Sequence, residues 1–332
     1  MSRGGAVVTA IVALAVLASP AGASGHLRTG TIAVDYRATV LTGDTAAYRA
    51  QIFQSDHGLT LTLHPGHVVV MLGYLGEPVF RLDAAGLSVN AGSPTAVVVG
   101  LLSKAQRTRG LTLDWRLRQG RHVAVWHDAR VQGLSPGVDR GLWTVPLIVD
   151  GRRTSLRGEL RRFAAPSLWL WLGMLAGLLA AGAWPLLLRR DDLVSRAATR
   201  LGVVAAGASV VVALAFAFDA YASPGTWIEA FNLIVFVAVG LGAVLRGPEN
   251  VRVGGAIGLG LLGLAVGLLN GPVFLHPIVL AVLPGTVTRA VVMAAIVAGV
   301  DAAALGCIFY VNAAAAPRDA SAEPEFRRAS PG

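Results

Sequence analysis

The chain has a single cysteine, Cys307, a single lysine, Lys104, and charged residues at only 14% of its 332 positions. One cysteine excludes a disulfide within the chain, so any exported part has to be held by a packed core. So little charge beside 54% hydrophobic residues excludes an ordinary soluble composition and points to a membrane protein. The 27 arginines facing that one lysine, among abundant Ala, Val, Leu and Gly, read as the codon bias of a GC-rich bacterial genome. The signatures of common catalytic classes are missing too: there is no Walker loop, no zinc-protease motif and no glycosidase-like carboxylate pair. A Gly-x-Ser-x-Gly string occurs at GLSPG, 133–137. There the residue after the serine is Pro136, which has no N–H for an oxyanion hole, and the setting reads as a turn between strands. The expectation is a protein that is not an enzyme.

What is present divides the chain in two. Arg3, an apolar run over 6–17 and the small residues of SPAGASGH read as a signal peptide at 1–23, with an uncleaved anchor as the alternative. Over 24–163 short segments alternate with period two: Ile32, Val34 and Tyr36 share a face in TIAVDYRATV, and Leu59, Leu61 and Leu63 in LTLTLH. Gly, Pro, Asn and Asp clusters such as GDTA, NAGSP and LSPG separate them. Eight to ten strands without a helix predict an exported all-β, sandwich-like domain. It carries 17 basic and 10 acidic residues, net +7, with Arg157, Arg161 and Arg162 beside the membrane, which suits anionic headgroups. A basic surface facing outward argues against nucleic acid as a partner.

Long apolar runs follow over 168–188, 201–219, 228–245, 253–271 and 287–311, predicting an α-helical transmembrane bundle of five helices within 164–312. Arg189, Arg190, Arg196 and Arg200, then Arg246 and Arg252, then Arg318, Arg327 and Arg328 fall on one side, whereas the other offers only Arg289. The positive-inside rule puts the β domain outside and the C-terminus in the cytoplasm, making this a multi-pass protein of the bacterial cell membrane with the lipid bilayer as its first partner. Gly263, Gly267 and Gly271, with Gly254 and Gly258 before them, read as close helix packing inside the bundle. NGPVFLHPIVLAVLPG, 270–285, is too apolar for an ordinary loop and reads as a segment along the outer interface with His276 facing the exported domain. The tail at 313–332 has little to bury and reads as disordered and cytoplasmic.

Few residues suggest chemistry. In HVAVWHDARV, 122–131, a continuous strand would put Val123, Val125 and His127 on one face and Trp126, Asp128 and Arg130 on the other. Asp128 and Arg130 then read as an ion pair at a partly exposed aromatic patch, a candidate recognition surface. His64 and His67 flank a Pro-Gly turn and could share copper, zinc or nickel, against the plainer reading of scattered strand-end histidines. Cleavage after Ala23 would leave Ser24, Gly25 and His26 as a terminus able to enclose Cu(II) or Ni(II). Asp301 lies near the middle of the last span, where a lone carboxylate is costly; it reads either as a proton or cation site or as a helix clasp with Ser209 or Asn232.

VVVMLGYLGEPVFRL, LSVNAGSPT, VWHDARV, GLWTVPLIVDG and FLHPIVLAVLP together resemble an actinobacterial membrane protein family with a signal peptide, an exported β domain and about five spans. That resemblance covers nearly the whole chain and implies architecture and location but no activity. His26 near the cleavage site and LWTVPLIVDGRR also resemble the exported β-sandwich of bacterial copper-resistance proteins, some of which are fused to a membrane domain. In that family a histidine ligand follows the Asp-Gly turn, whereas here Arg152 and Arg153 follow Asp150 and Gly151. Two functions follow as expectations. One is a non-enzymatic binding or accessory protein whose exported domain engages an envelope partner or ligand. The alternative is extracytoplasmic copper handling or transport through His26, the other outer histidines and Asp301, with copper as the only cofactor suggested.

Overall fold

The computed structural model describes residues 32–53, 58–108, 110, 112–131, 133–188, 190–219 and 224–315. The expected signal peptide, His26 and the tail beyond 315 lie outside the described residues.

The period-two segments form strands: β1 (Ala33–Val34), β2 (Tyr36–Val40), β3 (Tyr48–Phe53), β4 (Gly58–Leu63), β5 (Val69–Leu72), β6 (Pro78–Asp83), β7 (Gly86–Asn90), β8 (Trp115–Gln119), β9 (Val123–His127), β10 (Arg140–Val149) and β11 (Arg152–Arg162). Seven of them make an antiparallel sheet in the order β2-β11-β10-β5-β6-β7-β8, and β3-β4-β9 make a second sheet. The alternation in β4 does what its sequence asks: Leu59, Leu61 and Leu63 are buried while the threonines between them are half-buried. Both sheets contribute to one core, in which Leu59, Leu61 and Trp126 from the smaller sheet meet Met71, Phe80, Val145 and Leu156 from the larger. Phe80 and Trp126 bridge the sheets edge to face, with centroids 5.0 Å apart. Each such fully buried side chain contributes about 1.5–3 kcal/mol, which is how this region holds without a disulfide.

The longest hairpin, β10–β11, closes through Asp150 and Gly151 at φ 50° and 80°, the Asp-Gly pairing that a type I′ turn requires. Pro146 is tolerated in β10 because β5 pairs with that strand only from Leu147 to Val149, so no partner on that side needs its missing N–H.

Two expectations change here. NAGSP is not a plain turn: Ser93 accepts a hydrogen bond from Ala96 N and Pro94 occupies the first turn of a short helix, α1 (Pro94–Val98). TIAVDYRATV is not one strand either, because the chain leaves its alternation at Asp35, sending β1 and β2 to different partners.

The apolar half contains α2 (Leu168–Gly182), α3 (Asp191–Ala217), α4 (Pro224–Arg246), α5 (Glu249–Leu269), a two-residue strand β12 (Ile278–Val279) and α6 (Gly285–Ala315). Among the described residues four helices, α3 to α6, are long and apolar enough to cross a membrane, not the five expected. The segment at 168–188 falls short because its α-helix has only 15 residues, about 22 Å at 1.5 Å per residue. Past Gly182 it tightens into a 3-10 turn, Trp184–Leu188, which contains Pro185. Helix boundaries also move outward. α3 starts ten residues before the expected span, with Asp191 and Asp192 in its first turn where the helix dipole favours acids. α6 runs to Ala315, so the first residues assigned to a disordered tail are helical.

At the centre of the bundle α3, α5 and α6 pack closely. Gly260 leaves no room for a Cβ against Gly299, and Gly263 none against Ala205 and Ala295. Gly263 and Gly267 of the expected stripe are spent inside the bundle, whereas Gly258 and Gly271 face open space.

Candidate functional site at the junction of strands and helices

The two halves are joined by backbone pairing. β1 lies antiparallel to β12, with Ala33 opposite Val279 and Val34 opposite Ile278, and Leu280 N donates to Ile32 O at 2.9 Å. Asp35, at the break between β1 and β2, accepts a backbone hydrogen bond from Phe163 N at 3.0 Å, which ties it to the end of β11. Its carboxylate Oδ1 lies 2.8 Å from His276 Nδ1. His276 thus faces the β-rich region, as the apolar segment at 270–285 led one to expect. That segment does more than lie along an interface, since it supplies the strand on which β1 docks.

Arg289 braces the same segment from beneath. Its guanidinium is buried and donates to Val273 O at 2.6 Å, His276 O at 2.7 Å and Pro277 O at 2.9 Å. Carbonyl dipoles rather than a carboxylate satisfy this charge, so the bend through 273–277 is held by a cation. Apolar contacts complete the joint: Val273 and Phe274 pack with Val212, Phe216 and Val292, with Ile32 against them. Trp171 of α2 meets Phe274 at 5.3 Å between centroids.

In HVAVWHDARV the strand ends at His127 and a 3-10 turn covers Ala129–Val131. The expected ion pair is present, with Arg130 Nη2 2.7 Å from Asp128 Oδ2 and Nε 2.9 Å from Oδ1. The expected surface patch is corrected, because Trp126 is 1% and Asp128 0% exposed. Trp126 turns inward because it fills the gap between the sheets, and its Nε1–H donates to Asp128 Oδ2 at 3.0 Å. Arg130 also donates to Leu72 O and lies 4.9 Å under the Tyr74 ring. The Tyr74 hydroxyl approaches Asp128 Oδ1 and accepts from Ala129 N at 3.0 Å. Burial, helped by the Asp128 charge, lifts that hydroxyl above the ordinary tyrosine range. The cluster is a saturated polar knot that pins the 73–77 loop to β9.

His64 and His67 do not share a partner: His64 Nδ1 lies 3.1 Å from Ala46 O, and His67 Nδ1 lies 2.8 Å from Asp150 Oδ2. Among the described residues no group of three His, Cys, Asp or Glu side chains is placed to hold a metal. Asp150 also accepts from Val68 N, and its hydrogen bond to His67 holds its carboxyl below the ordinary value. Ser135 lies in the loop before β10, and Asp128, five residues before GLSPG, is committed to Arg130.

Asp301 is buried in α6, and its Oδ2 has no hydrogen-bond partner among the described residues. It packs on Gly182 at the end of α2, where any Cβ would overlap Oδ2. Ser209, considered as a clasp partner, instead donates to Ala205 O of its own helix at 2.7 Å.

Sequence reasoning singled out neither Asp35 nor Glu77. An acid interrupting an alternating apolar run was the available sign for Asp35. Glu77 accepts from Ser93 Oγ at 2.8 Å, Thr95 N at 3.2 Å and Leu75 N at 3.1 Å, a set of contacts that exists only after folding.

Compared with protein-family models, with curated proteins and with solved structures, the chain matches none.

Proposed function

We propose that this is a non-enzymatic binding or accessory protein of the bacterial cell membrane, in which a sandwich-like β region outside the cell is held rigidly on a helical anchor. The observation that carries the reading is the junction: a β1–β12 ladder, the Asp35–His276 contact and Arg289 beneath the bend. A merely tethered domain needs no backbone pairing into the membrane half. A domain that must keep its orientation toward an envelope partner, or pass a displacement to the helices, does.

The orientation rests on charge. Arg190, Arg196, Arg200, Arg246 and Arg252 gather at the end of the bundle away from the junction, whereas Arg289 at the junction spends its charge on carbonyls. With the positive-inside rule this favours the β region outside and the C-terminus in the cytoplasm. That arrangement needs an odd number of crossings, so the segment at 168–188 crosses as a composite of α-helix and 3-10 turn. Its contacts support this: Trp171 packs on Phe274 near the junction, and Leu186 packs with Val194 and Leu305 toward the arginine-bearing end.

Cysteine labelling tests the reading. In a Cys307→Ser background, Thr154→Cys in the β region should react with an impermeant maleimide in intact cells, while Asn250→Cys should react only after lysis. The reverse pattern overturns the orientation.

A further inference from the structure

At the end of the bundle away from the junction, a cleft of ≈ 530 Å³ opens between the first turns of α3 and α5. α3 lines it with Ser195, Arg196, Thr199 and Arg200, and α5 with Glu249 and Arg252. Its carboxylates are already engaged. Asp192, also in the lining, lies 3.3 Å from Arg190 and 3.8 Å from Arg196, and Glu249 Oε1 accepts from Ser195 Oγ at 2.8 Å. The guanidiniums of Arg200 and Arg252 have neither an ion-pair nor a hydrogen-bond partner among the described residues.

Two unpaired guanidiniums on different helices thus line one cavity, and packing fixes the spacing of the backbones that carry them. Two residues past Arg200 and four past Arg252, α3 and α5 touch backbone to backbone, where a Cβ on Gly202 would lie 2.8 Å from Ala256 Cα. Neither guanidinium is within ion-pair distance of a carboxylate, so an anion that both can reach stabilises the arrangement, and guanidinium forks match phosphate oxygens. The volume lies in the ~300–1,000 Å³ range of small-molecule sites. From Leu201 and Val253 onward the two helices are apolar, so the cleft stands at the level of headgroups beside the hydrocarbon core.

We propose that this cleft binds a phosphate group, presented either by an anionic lipid headgroup or by a free phosphate. Arg200 and Arg252 clamp the anion, and Arg196 and the Thr199 hydroxyl border it. Positive-inside charge alone needs arginines near this end of the bundle but does not require two of them to line one cleft from different helices.

The test uses the detergent-solubilised full-length protein, its thermal unfolding midpoint followed during titration with a short-chain phosphatidylglycerol, with inorganic phosphate, or with a short-chain diacylglycerol as uncharged control. The phosphatidylglycerol should raise the midpoint of the wild type and of Arg246→Gln alike, and diacylglycerol should not. Arg200→Gln and Arg252→Gln should each weaken the apparent affinity roughly fivefold, and the double variant should lose the response. These arginines are exposed, so the unliganded midpoints should stay unchanged. A response to inorganic phosphate at comparable concentration identifies free phosphate as the source, and a response to the lipid alone identifies the headgroup. No response in the wild type, an undiminished response in the double variant, or an equal loss in Arg246→Gln overturns the site.

Discussion

His276 Nδ1 and Asp35 Oδ1 lie 2.8 Å apart across 241 residues of sequence. The contact closes a ladder between the first described strand and a two-residue strand inside the apolar half, so the joint is built from chain segments far apart in sequence.

Because Ala33 and Val279 are direct cross-strand partners, their Cα atoms fall within the ~4.4–6.8 Å that a disulfide spans. In a Cys307→Ser background, Ala33→Cys with Val279→Cys should form a disulfide under mild oxidation, read as a faster band on a non-reducing gel. Failure to cross-link while each single cysteine remains reactive would contradict the docked arrangement.

At the same joint Arg289 should matter more than His276. Arg289→Met removes a charged donor from three carbonyls and should lower stability by about 2–3 kcal/mol. His276→Ala breaks a partly exposed pair and should cost about 1 kcal/mol or less. Equal effects in denaturant unfolding of the full-length protein would remove Arg289 from its bracing role.

Asp128 is fully buried and its carboxylate is shared by Trp126 and Arg130, so Asp128→Ala leaves a guanidinium without its anion and should cost about 3–5 kcal/mol. Asp128→Ala with Arg130→Met should recover part of that loss. A double-mutant cycle with no coupling would show that the pair does not hold the 73–77 loop.

Glu77 should set part of the acid limit of the β region. Burial by itself would raise its pKa, yet hydrogen bonds from Thr95 and Ser93 outweigh that effect and hold the carboxyl below its ordinary value. A carboxyl whose folded pKa is depressed stabilises the fold fully above its unfolded pKa, about 4.3, and loses that contribution as pH falls through the folded value. Glu77→Gln should be less stable at neutral pH and show a flatter decline in unfolding midpoint as the pH drops below about 5. Parallel profiles for the variant and wild type would remove Glu77 from this role.

Gly182 and Asp301 should behave as one unit. Gly182→Ala places a methyl on Asp301 Oδ2 and should destabilise the bundle by about 1–3 kcal/mol despite alanine's better helix propensity. Adding Asp301→Ala should remove the penalty, since it clears the overlap and deletes a buried oxygen with no partner among the described residues. Additive effects of the two changes in thermal unfolding would show that α2 does not pack there.

The parts of this protein legible in its sequence are those governed by local repetition. Leu59, Leu61 and Leu63 announce an inward face because side chains alternate along any strand, and the runs that become α3 to α6 announce themselves by length and apolarity. Trp126 was misread because alternation separates two faces without saying which one is covered. The cleft has no sign in the apolar runs because they leave 189–200 between two spans, whereas Asp191–Ala217 is one helix that sets Ser195 beside Thr199 and Arg196 beside Arg200 at i, i+4 spacing.

The sequence by itself determined a β-rich region followed by apolar helices, the scarcity of charge that belongs with a membrane, and the asymmetric arginines behind the proposed orientation. Tertiary structure alone decided that 168–188 is a short helix with a 3-10 turn, that Asp128 is buried, that β1 pairs with β12, and that Arg200 and Arg252 line one cleft. Periodicity is a property of neighbouring residues and survives in a linear string. Which face is covered and which distant groups meet depend on packing between elements, and these have no local sign.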